Sequence, residues 1–150
     1  MTLPLNWREE VCDRFPELRQ RFDDYECDTP YLVWFQLRDA FTHAYDQSPR
    51  DDALIRRIYD YAFWCTEIAP RGETAEDDLL TCVAVSFFEH IPQHSLARAD
   101  MPRWFSYEDF MGSEQIFRYH LSDQEFADLK QYFHEHKDMY AQHVTRSETP

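Results

Sequence analysis

The chain carries seven histidines, four cysteines and twenty-nine carboxylates. These are the groups that could hold a metal or move a proton, and their spacing decides whether they can. Chelation needs ligands that converge on one point. His134 and His136 stand two apart, which on a helix turns them about 160° from each other, so they cannot chelate together. His136 and His143 share a face but lie about 10 Å apart along the axis. Glu89, His90 and His94 come closer to a ligand set, yet Pro92 interrupts a helix between the two histidines. The spacing predicts no metal and no cofactor.

Cys12, Cys27, Cys65 and Cys82 are far apart, with no CxxC pair and no histidine at zinc-finger spacing. Cys12, Cys65 and Cys82 sit beside apolar helical positions, where a free thiol behaves as a small buried hydrophobe. No GxSxG elbow, HExxH helix, P-loop or dinucleotide fingerprint is present. Gly72 and Gly112 are the only glycines, which argues against loop-built phosphate sites and tight hairpins. No catalytic residue is assigned, and the expectation is a protein that is not an enzyme.

The formal charge of −14 speaks against direct binding to nucleic acid or anionic lipid, because both need Lys and Arg to displace counterions. It favours a basic protein as partner, with solubility as the competing explanation. Two acidic clusters are candidate partner-binding sites: Asp23, Asp24, Glu26 and Asp28, and Glu73, Glu76, Asp77 and Asp78. A third candidate is the segment "RWFSYEDFM", where Trp104, Phe105 and Tyr107 are the expected interface anchors, in a stretch that reads as short helical turns joined by loops.

The elements that must position these groups are helical. Asn6 with Glu9 resembles a capping box, and Pro16 breaks the helix that follows. Thr29–Pro30 and Ser48–Pro49 read as helix starts. Leu54, Ile55, Ile58, Tyr61, Ala62, Cys65 and Ile68 form an apolar stripe at steps of three and four. The run "LLTCVAVSFFEHI" has strand-like Val and Thr, but Thr74 and Asp77 as caps and Pro92 as a stop predict a helix over 75–91. Ser106 with Asp109 is a further cap pair, Gly112 a break, and Ser122 with Glu125 opens a last helix. The expected fold is all-α: one domain over 1–150, about six helices around the central apolar helix 75–91, with 144–150 a frayed tail. With no secretory signal and no run long enough to span a bilayer, the expected location is cytoplasmic.

Together "DRFPELRQRF", "PYLVWFQLRDAF", "IYDYAFWC" and "LLTCVAVSFFEHI" resemble an uncharacterised family of small acidic all-helical bacterial proteins, over residues 10 to 95. Such families resemble the immunity proteins of polymorphic toxin systems. The resemblance implies a protein that binds a cognate toxin, covers its active site and is met by a basic surface; it carries over no functional residue. An intracellular helical adaptor and an enzyme that reverses a toxin's modification are the alternatives. A DNA mimic is disfavoured by Arg8, Arg14, Arg19 and Arg21, which interrupt the carboxylates.

Overall fold

The computed structural model describes residues 7–75 and 78–148, with side chains as far as residue 143. All elements among the described residues are helical: ten α-helices and two 3-10 segments, rather than about six helices. They are α1 (Trp7–Arg14), a 3-10 turn (Pro16–Leu18), α2 (Arg19–Asp24), α3 (Pro30–Asp46), α4 (Asp52–Glu67), α5 (Leu79–Ser86), a second 3-10 segment (Phe88–Gln93), α6 (Ser95–Trp104), α7 (Tyr107–Gly112), α8 (Glu114–Phe117), α9 (Asp123–Glu135) and α10 (Asp138–Glu148). None is long and apolar enough to cross a membrane.

The higher count comes from expected helices being cut. Pro16 divides the first into α1 and α2 as expected. The last expected helix divides at His136, whose N–H turns back to the carbonyls of Tyr132 and Phe133. The segment after Pro92 is more regular than expected, holding three helices, α6 to α8.

The helix expected over 75–91 is corrected to a shorter one. Thr74 lies outside any helix and Asp77 outside the described residues. Asp78 stands at the N-cap of α5, but its carboxylate is drawn to Arg71, Gly72 and the Thr81 hydroxyl instead of capping a backbone N–H. At Phe87 the backbone leaves helical geometry, and the chain resumes as the 3-10 segment that contains Pro92. Another start is displaced: α4 begins after Asp51, whose carboxylate accepts from Leu54 N–H at 3.1 Å, and not at Ser48–Pro49. Thr29, Ser106 and Ser122 cap α3, α7 and α9 as expected. Asn6 lies outside the described residues.

The contacts divide the chain into two units, Met1–Phe87 and Phe88–Pro150. In the first, α3, α4 and α5 pack on one another, with α1 against α4 and α2 against α3. Most of the apolar stripe of α4 faces inward, with Ile55, Ile58, Tyr61, Ala62 and Cys65 buried and Leu54 partly so, while Ile68, at the C-cap, is turned out to solvent. Trp34 is sandwiched between Tyr61 and Phe87, with ring centroids 5.4 and 5.0 Å away. Phe41 meets Tyr45, Tyr59 and Phe87 edge-on, the geometry the ring quadrupole prefers. Arg57 fastens α4 to the start of the chain by gripping both oxygens of Glu17 and the Arg14 carbonyl.

In the second unit, α6 packs against the preceding 3-10 segment, α9 and α10, while α8 lies on the same 3-10 segment. Its core is built of phenylalanine: Phe110 lies parallel to Phe133 at 4.1 Å, with Phe117 and Phe126 at 5.5 and 5.7 Å. All four cysteines are free and buried. Burial pushes the Cys65 thiol up to about 12 and also raises that of Cys27.

Candidate functional site

The first acidic cluster forms a compact turn between α2 and α3. Phe22 and Cys27 are buried and anchor it, and Cys27 N–H closes it by donating to the Phe22 carbonyl at 2.9 Å. Glu26 sits in the left-handed region at φ 50°, a conformation that costs a residue with a Cβ. Arg8 reaches across from α1 and donates to the Cys27 carbonyl and the Asp23 carboxylate. With the inward positions filled, Asp23, Asp24, Glu26 and Asp28 all face solvent.

Tyr25, which stands among these carboxylates in the sequence, is 63% exposed. The Arg21 guanidinium lies 6.0 Å from its ring centroid and is itself held by Gln36 and Asp39 of α3. Sequence reasoning named the four acids and missed the ring among them. A tyrosine bordered by acids, in a turn closed from both sides, was the available signal. The arrangement can receive Lys or Arg side chains by charge, with the ring face as a cation–π platform.

Of the second cluster, Glu73 and Asp78 are described. Glu73 is exposed, whereas Asp78 is 4% exposed. Asp78 takes both Nε and Nη2 of Arg71, at 2.8 and 2.9 Å, together with the Gly72 N–H and the Thr81 hydroxyl. The Arg71 guanidinium holds this carboxyl well below the usual carboxylate range, against the opposing effect of burial. Asp78 thus organises the loop before α5 from a buried position. Glu76 and Asp77 lie outside the described residues.

The aromatic segment is also corrected. Trp104 and Phe105 are each 6% exposed and belong to the core of the second unit. The Trp104 indole donates to Asp100 at 3.2 Å and meets His143 edge-on at 4.6 Å. Phe105 packs on Phe88 and Phe117. Tyr107 is half-buried against His134. Trp104 ends α6, Phe105 stands at its C-cap and Tyr107 begins α7, and the first two turn their rings inward.

Among the described residues no group of histidines, cysteines and carboxylates has the geometry to hold a metal ion. His94 caps α6, its Nδ1 accepting from Ala97 N–H at 3.3 Å. Glu89 and His90 instead meet His120, which sequence spacing could not have paired with them. His120 Nε2 lies 3.3 Å from Glu89, and the His90 and His120 rings stack at 4.5 Å. His90 Nδ1 contacts the Gln93 side chain at 2.7 Å.

The second unit also carries a groove of about 440 Å³. From α6 come Ser95, Arg98 and Ala99; from the stretch that leads into and along α9 come Leu121, Glu125, Asp128, Leu129 and Tyr132. Tyr132 donates its hydroxyl to the Ala99 carbonyl at 2.6 Å and so ties the two walls together. Arg98 Nη1 donates to the Pro92 carbonyl at 3.0 Å.

Compared with family profiles, curated proteins and solved structures, the chain matches none of them.

Proposed function

We propose that this chain is a binding protein of the immunity or antitoxin type, which occludes a basic surface of a cognate toxin domain. The observation that carries the reading is the turn after α2, where exposed Asp23, Asp24, Glu26 and Asp28 flank an exposed Tyr25 along the chain. The turn is held from within by Phe22, Cys27 and Arg8, so its carboxylates are presented with little ordering cost on binding. The net charge of −14 supports the same direction by steering a basic partner to the surface.

The mechanism is occlusion. Carboxylates pair with the Lys and Arg residues that a nucleic-acid- or nucleotide-directed toxin needs for its substrate, and Tyr25 supplies an aromatic anchor. Asp78, Trp104 and Phe105 take no part, because each is committed inside the fold.

The test is rescue from toxicity. The chain is co-expressed with the basic toxin candidates encoded beside its gene, as wild type and with Asp23, Asp24, Glu26 and Asp28 changed to Lys. Wild-type protection that is lost in the variant, with association weakening as salt rises, supports the reading. Protection that survives all four changes removes the turn from the interface. Protection at substoichiometric protein would favour an enzyme, and no protection from any candidate an adaptor.

A further inference from the structure

We propose that the groove between α6 and α9 is a second docking surface, and that its occupant is an amphipathic helix with basic flanks, supplied by the partner. This rests on the reading above that the partner is a basic protein. On α9 the lining recurs at Glu125, Asp128, Leu129 and Tyr132, the three- and four-residue steps of one helix face, and Leu121 extends it just before the Ser122 cap. The helical part of that stripe is about two turns long, roughly 10 Å. On the facing wall, Ser95 and Ala99 lie one turn apart and are small enough for another backbone to come close.

The two walls, with Ala99, Leu121 and Leu129 as their apolar lining, fit the side of a third helix. The charges select its sign. Glu125 and Asp128 are exposed on the α9 rim, Glu125 also closing the capping box with the Ser122 N–H and feeling Arg98, and Asp128 also accepting from Gln124, against one guanidinium, Arg98, which donates to the Pro92 carbonyl. Lys or Arg beside the apolar stripe of the incoming helix meets these two carboxylates. The Tyr132–Ala99 bond holds the walls at their spacing beforehand.

The experiment uses the full chain and two synthetic helical peptides of about four turns. They share one leucine face and differ only in carrying Lys or Glu on its flanks. Amide chemical shifts are followed at physiological ionic strength, where unspecific attraction is screened. The expected result is shifts centred on Ser95, Ala99, Leu121 and Leu129 with the Lys peptide, and binding at least tenfold weaker with the Glu peptide. Ala99→Trp, which fills the groove, abolishes the binding, and Asp128→Lys weakens it at least tenfold. Both sites are exposed, and unchanged melting temperatures show that each variant is folded.

Equal binding of the two peptides, shifts that avoid the groove, or an Ala99→Trp variant that binds normally would overturn the proposal. Charge reversal of the turn after α2 separates the two ideas. A toxin neutralised by wild type but not by the turn variant, together with no peptide binding at the groove, sinks the groove alone. If neither the turn variant nor Ala99→Trp alters protection, the inhibitor reading loses both of its surfaces.

Discussion

The Asp78 carboxylate grips the Arg71 guanidinium through two parallel hydrogen bonds while being almost completely withdrawn from water, and Arg71 itself remains exposed. The asymmetry decides which partner matters. Replacing Arg71 leaves a carboxylate that still holds the Gly72 N–H and the Thr81 hydroxyl. Replacing Asp78 by Asn leaves one acceptor oxygen for those two donors and puts an amide NH2 where the other bond was received. Asp78→Asn is therefore expected to cost about 2 kcal/mol in denaturant unfolding, and more than Arg71→Ala.

The same carboxylate gives a pH dependence of definite sign. Its pKa in the fold is depressed, so the stability it adds is fully present above the unfolded value of about 3.9 and is lost as pH falls toward the folded value. The gap in unfolding free energy between wild type and Asp78→Asn is expected to be constant near neutrality and to close below about pH 4. Denaturant titrations at several pH values measure it directly.

Glu26 holds the acidic turn in a left-handed conformation that only glycine adopts without cost. Glu26→Gly is expected to leave the fold intact and to raise stability by about 0.5 to 1 kcal/mol, the release of strain outweighing the added freedom of the unfolded chain. A destabilised variant would mean that the Glu26 side chain contributes more than its backbone costs.

The buried thiols are expected to be slow. With Cys65 raised to about 12 and all four cysteines inside the fold, a thiol-reactive dye should label less than one thiol per chain on the timescale of minutes at neutral pH, and four in denaturant. Rapid labelling of the native protein would show that one of the helices bearing them opens readily.

Ser122 caps α9 through the Glu125 N–H at 3.1 Å, with the Glu125 side chain returning the bond to the Ser122 N–H. Ser122→Ala is expected to lower stability by about 1 kcal/mol. It should also weaken peptide binding at the groove, since Glu125 stands on its rim.

What was legible in the sequence is what is local. The caps at Thr29, Ser106 and Ser122 are three-residue events, decided by side chains that bond a backbone N–H within one turn. The helix expected from 75 failed because Asp78 answered to Arg71 and Thr81, a competition that no capping rule sees. His120 reaches Glu89 only because the second unit folds α8 onto the 3-10 segment, and spacing along the chain is silent about that. The acidic turn was read correctly as a cluster on the surface, but Tyr25 gained its place only once Phe22 and Cys27 had claimed the interior. Trp104 was misread for the same reason: large aromatics near a predicted loop go wherever the neighbouring helices leave a volume to fill.

The stacked indole of Trp34 and the hydrogen-bonded indole of Trp104 have one more consequence. Trp7, Trp34 and Trp64 fall in the first unit and Trp104 stands alone in the second, so each half of the molecule has its own chromophore. A fluorine label on tryptophan gives Trp104 a single resonance that belongs wholly to the second half. Because His143 of α10 lies edge-on to that indole, the resonance also registers whether α10 is seated on α6. Melting and partner binding can then be followed half by half in the intact chain, without cutting it.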